Sequence, residues 1–235
     1  MKRRMSRRAS EAVRASVCIE GLESRTLLSA TAVGTPTLVN ATKLAGPQSN
    51  ESMAISQTNP QELFVVSDNN QASIFFAHST DGGATWTNKV MATGADGFPV
   101  AFGNPSIATD KYGNLFLAYE TIDTHAVNVL MSYDSGNTFH LIQRIRSTNS
   151  DAVVATGNNS LYVAFRQLPL TGAPPQTKDG GAVVYSAEVT GLGRVKSTFK
   201  PELITGVQSN VHGLAVGPAG QLTAAYVFST AVGPS

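Results

Sequence analysis

Asp81 and Asp134 are the acidic residues whose surroundings this chain spells twice. The first lies in STDGGATW (Ser79 to Trp86) and the second in SYDSGNTF (Ser132 to Phe139), so the aspartate recurs 53 positions on, from 81 to 134. An aspartate among glycine and hydroxyl residues can move a proton, bind a cation, or accept hydrogen bonds from its own turn. A calcium cage takes roughly 6–8 oxygens, and each octapeptide offers a single carboxylate. The spacing therefore points to a turn. Asp81 and Asp134 accept nearby N–H groups, as in an Asx turn, and Gly83 and Gly136 permit positive φ. Ser79, Thr85, Ser132 and Thr138 add side-chain bonds, while Trp86 and Phe139 close over the hairpin.

The other reactive residues form no constellation. His78, His125, His140 and His212 lack HxxxH or HExxH spacing, and Cys18 is the single cysteine. No metal site, disulfide framework or cofactor is expected. Arg144, Arg146, Arg166 and Arg194 are the only arginines after the first thirty residues. Tyr119 precedes Glu120 directly, so an ideal strand points them to opposite sides. Tyr119, Tyr162 and Tyr226 are expected in the core. No nucleophile elbow, phosphate loop or dinucleotide fingerprint is present, and no residue is assigned a catalytic role.

The elements that hold the octapeptides repeat with them. Four apolar strands look alike: ELFVVS, NLFLAYE, SLYVAFR and QLTAAYV, with Leu63, Leu115, Leu161 and Leu222 in matching places. An apolar run and a polar turn precede each strand. Ile55, Ile107, Val153 and Leu214 stand eight residues before these leucines, with Val154 as an equal partner for Ile107. A third strand leads into each octapeptide and a fourth leaves it. Four antiparallel strands per roughly 50 residues is the signature of a β-propeller blade. The fold expected is thus all-β, a propeller of four-stranded antiparallel blades. About three and a half blades are present, the third extended by LPLTGAPPQTKDGG and lacking the octapeptide. Thr35 to Gly46 reads as an outer fourth strand. Closure takes roughly 4–8 blades, so the rest of the propeller is expected beyond Ser235.

The octapeptides resemble the Asp-box, or BNR repeat, of sialidases and related propellers. The first matches completely, and the second carries Phe in place of Trp. The resemblance implies a β-propeller with the boxes at the blade periphery, away from any substrate site. Sialidase-like enzymes also carry an arginine clamp, a Tyr/Glu pair and an Asp acid/base, and their Arg-Ile-Pro signature is absent here. The expectation is therefore a glycan- or protein-binding or scaffold module. The alternative is an exo-sialidase-like glycoside hydrolase whose catalytic residues lie mostly past this chain, and a third reading is a ligand-free structural protein of the envelope.

Composition agrees with β structure. Charged residues make up 14% and hydrophobic ones 42%, against about 25% charged in an average domain. Charge is uneven: residues 1–30 hold seven basic and three acidic side chains, and the remainder holds ten and thirteen. The folded part therefore lacks the basic surface that nucleic acid requires. No apolar run reaches the ~20 residues of a transmembrane span. Residues 1–34 read as a basic leader, disordered or targeting, and residues 35–235 as the partial propeller. Within the leader, LESRTLLSA resembles the LEPR-XLL motif of large exported planctomycete proteins. Leu22, Glu23, Arg25, Leu27, Leu28 and Ser29 match, and Ser24 replaces the usual Pro. This resemblance implies an exported, extracellular or cell-envelope destination.

Overall fold

Runs such as FFAHS and LFLAYE are apolar on both faces of a strand, which suits strands sandwiched between two layers. A computed structural model describes residues 39–43, 48–69, 72–121, 126–146, 152–167, 181–196, 198–205 and 209–228. Among these residues every regular element is a strand. The leader, with its LEPR-XLL-like residues, lies outside them, as does most of the third unit's long loop.

The first blade comprises β1 (Gln48–Ile55), β2 (Leu63–Asn69), β3 (Ile74–Ser79) and β4 (Thr87–Met91), paired antiparallel in that order. The second repeats it with β5 (Ala101–Thr109), β6 (Leu115–Thr121), β7 (Val127–Ser132) and β8 (His140–Ile145). The third has β9 (Val153–Gly157), β10 (Ser160–Gln167) and β11 (Gly181–Gly191). Its outer position is divided between β12 (Arg194–Val195) and β13 (Lys200–Thr205), which pair with different parts of β11. β14 (Ser209–Val216) and β15 (Leu222–Phe228) form a two-stranded fourth sheet. Of Thr35 to Gly46, the described residues 39–43 carry no strand: the Asn40 side chain instead accepts from the backbone of Thr42 and Lys43 in a tight bend.

The core lies between blades. Phe64, Val66 and Phe76 of the first blade pack with Leu115, Leu117, Tyr119 and Leu130 of the second. The other face of the second blade, through Phe116, Ala118, Val127 and Val129, meets Leu161, Val163 and Phe165 of the third. Ala164, Ala182 and Val184 then meet Val211, with Leu214 and Leu222 against them. All seven residues of β6 are buried because both of its faces are interfaces. Tyr119 is core and Tyr162 is half-buried against the third cluster, but Tyr226 is 42% exposed, contrary to expectation, because it lies on β15 at the outer margin of the last described sheet.

Pairing corrects one alignment drawn from the sequence. The residue opposite the repeat leucine is Ile55 in the first blade, Thr109 in the second, Thr156 in the third and Val216 in the fourth. Connections of different length shift the inner strands, so a fixed spacing of eight does not track structure. Ile107, Val154 and Leu214 are equivalent to one another, and their counterpart in the first blade is Met53. Ile55 is 58% exposed, whereas Ile107 is 5% exposed.

Candidate functional site

The octapeptides fold into the turns between third and fourth strands. Asp81 accepts the Thr85 N–H at 2.8 Å, the Thr85 hydroxyl at 2.6 Å and the Ser79 hydroxyl at 2.8 Å. The Ser79 oxygen accepts the Gly83 N–H at 2.9 Å. Asp134, Thr138, Ser132 and Gly136 repeat the set at 2.9, 2.6, 2.7 and 2.9 Å. Gly83 and Gly136 have φ of 92° and 80°, values that cost a side chain dearly. Hydrogen bonds from the Thr85 hydroxyl, the Thr85 N–H and the Ser79 hydroxyl hold Asp81 ionised, with its pKa lowered to about 2. At Asp134 burial acts to raise the pKa. The bonds from Thr138 and Ser132, together with the Lys89 charge, outweigh it and the net shift is downward. In each turn both carboxylate oxygens are occupied by donors of the turn.

The two aromatics differ. Phe139 is 8% exposed and meets the Phe76 ring edge-on at 5.3 Å, between two blades. Trp86 is half-buried and donates its indole N–H to the Gly83 carbonyl at 2.9 Å. It takes no part in the described core clusters, so the expected large packing role belongs to Phe139. Lys89 of the first blade fastens the second turn, donating to the Gly136 and Asn137 carbonyls at 2.6 and 2.8 Å while lying over Phe76 and Phe139. The third blade lacks the octapeptide, and Asn114 of the second blade serves its turn instead. The Asn114 side chain accepts the Gly193 N–H at 2.6 Å and donates to the Gly191 carbonyl at 3.0 Å.

At the opposite end of the strands, the inner strands make a different structure. β1, β5, β9 and β14 lie side by side in blade order. Hydroxyls join them at equivalent positions. Ser52 accepts the Ile107 N–H at 3.2 Å and Ser106 accepts the Val154 N–H at 3.0 Å. One step on, the Thr109 hydroxyl donates to the Ile55 carbonyl and the Thr156 hydroxyl to the Thr109 carbonyl. Just before Ser52, Ser106 and Gly213 in the chain, three of these strands carry an extra residue against their partners. A bulge re-aims side chains, and bulges gather beside active sites. Here they comprise Asn50 and Glu51 in β1, Asn104 and Pro105 in β5, and His212 in β14. Asn50 and Asn104 both have φ of 54°, a left-handed conformation that Asn tolerates.

The bulges converge on one cavity of about 270 Å³. Asn50, Glu51, Ser52, Asn104, Ser106 and His212 supply its polar lining, with Pro105, Val153 and Val211 as apolar wall. Asn50 donates to the buried Asp68 carboxyl at 2.6 Å. Asp68 in turn lies so close to Gly103 that a Cβ there would stand 2.8 Å from its Oδ2. Five places after the repeat leucine stand Asp68, Glu120 and Arg166, so two buried acids and one arginine share a register near this end.

The chemistry-bearing residues singled out in the sequence mostly lie elsewhere. His78 stacks on Phe64 and meets Glu62 at 3.1 Å, and His140 stacks on Tyr133. Arg144 sits on the outer strand β8, and His125 lies outside the described residues. Among the described residues no group of three or more His, Cys, Asp or Glu is placed to hold a metal ion. None of their helices is long and apolar enough to cross a membrane. The bulge residues escaped sequence reasoning, although an asparagine a few residues ahead of each apolar run was a usable sign.

No known protein family and no curated protein matches this sequence. Solved structures similar to it include the GH93 alpha-L-arabinofuranosidase of Fusarium graminearum in complex with arabinobiose. That likeness has a TM-score of 0.54 at 14% identity and covers 80% of this chain. This chain spans 58% of the length of that enzyme. A looser likeness is to the GH74 enzyme of Niastella koreensis, with a TM-score of 0.35, 18% identity, and coverage of 72% of this chain and 32% of that one. With its successive antiparallel blades, the chain is an all-β protein of β-propeller architecture.

Proposed function

We propose that this chain is an exported, glycan-binding β-propeller module that takes saccharide at the cavity formed by its inner-strand bulges. The observation that carries this reading is the coincidence of three bulges at one register, all contributing to one cavity. Amide, hydroxyl and carboxylate groups beside a small apolar wall suit a sugar, whose hydroxyls need hydrogen bonds and whose C–H face needs an apolar surface. The likeness of fold to an arabinofuranosidase supports a carbohydrate setting. In this reading residues 1–34 are the export leader and the Asp-box turns are structural.

A second reading is a sialidase-like glycoside hydrolase whose remaining groups come from further sequence. It draws on Asp68 and Glu120, two buried acids at equivalent places near the cavity end. Against it, none of the cavity's described lining residues is an arginine. A glycan array probed with the chain and with Asn104→Ala separates the readings. Binding that the variant loses, without bond cleavage, supports the module. Hydrolysis of a bound glycan supports the enzyme.

A further inference from the structure

The groups facing the cavity define more than a general liking for sugars. Ser52 and Ser106 each accept a backbone N–H from the next blade, so each hydroxyl proton remains available to a ligand. Asn50 gives one amide proton to Asp68, which fixes the side chain and presents its carbonyl oxygen and remaining proton. The Asn104 amide offers both donor and acceptor. Such a set of mixed sign matches hydroxyl groups, which donate and accept in turn.

The fixed charge among the described lining residues is negative. Glu51 places a carboxylate in the lining, and the Asp68 carboxyl stands behind Asn50. No Lys or Arg is among the described lining residues. Arg166, at the register of Asp68 on β10, shares the face of Ala164, which packs with the cavity's own Val153 and Val211, but Arg166 is not itself among the described lining residues. An anionic sugar would enter against Glu51 with no guanidinium among the described lining residues to receive its carboxylate, and like charges brought together repel.

From these groups, and resting on the glycan-binding reading above, we infer that the bulge cavity selects uncharged saccharides over carboxylate-bearing ones, with Glu51 as the residue that rejects the anion. Specificity then comes from an unfavourable element as much as from favourable ones.

Matched pairs test this by titration calorimetry at pH 8. Each neutral oligosaccharide is compared with the same chain bearing a terminal sialic or uronic acid, for example lactose with 3′-sialyllactose and xylotriose with its glucuronic acid derivative. The neutral member is expected to bind at least about tenfold more tightly, the effect of one modest charge repulsion. Glu51→Gln should shrink that gap while leaving the melting temperature unchanged, since Glu51 is exposed. Equal or tighter binding of the acidic members, or a gap untouched by Glu51→Gln, overturns the inference alone. Failure of every pair to bind, neutral or acidic, overturns the glycan reading itself, and the inference with it.

Discussion

At the scale of single residues, Asp81 shows how a carboxylate can look catalytic and be structural. Its bonds from Thr85 and Ser79 lower its pKa from 3.8 to about 2. In the window between those values the unfolded chain binds the proton and the folded chain does not, so stability rises with pH there. The contribution is complete above 3.8 and is lost as pH falls past about 2. Asp81→Asn should therefore flatten the acid limb of a stability–pH curve in this window, measured by urea unfolding at successive pH values. An unchanged limb would mean that the turn does not depend on the ionised carboxylate. Residue types revealed this turn well: Ser, Asp, Gly and Thr at fixed offsets state its hydrogen bonds almost completely. They did not reveal that Trp86 and Phe139 have different settings, because burial depends on the neighbouring blade. Phe139 has the first blade's Phe76 against it, and Trp86 has no described partner of that kind.

At the scale of elements, the strands and their order were legible because hydrophobic runs and turn residues recur. The alignment of inner strands was not. Their connections vary in length, and extra residues in β1, β5 and β14 break the regular count. Apolar pattern alone cannot register a bulge, since the bulged residues here are mostly polar. The serines at the bulge margin carry a second role, joining inner strands that belong to different sheets. Ser52→Ala and Ser106→Ala should each cost about 1 kcal/mol in urea denaturation, the usual worth of one hydrogen bond. Because each serves a different seam, the double variant should lose about the sum of the single costs. A negligible loss in both would show that the seams are held by the apolar clusters, Lys89 and the Thr109 and Thr156 hydroxyls.

At the scale of the whole molecule, the two ends of the strands are differentiated. At one end the second octapeptide turn, held by Lys89, and the Asn114 bridge fasten blades to one another. Bulges, buried acids and the cavity occupy the other. Fold class followed from sequence because a repeat of blade length admits few architectures. The cavity did not, because it is made by residues over 150 positions apart, from Asn50 to His212, that only the arrangement of blades brings together. Hydrogen exchange with and without the tightest-binding neutral oligosaccharide tests this account most directly. The account predicts protection confined to residues 50–52, 104, 106, 152–153 and 211–212. Protection centred on the octapeptide turns at 79–86 and 132–139, or none at saturating ligand, would contradict it.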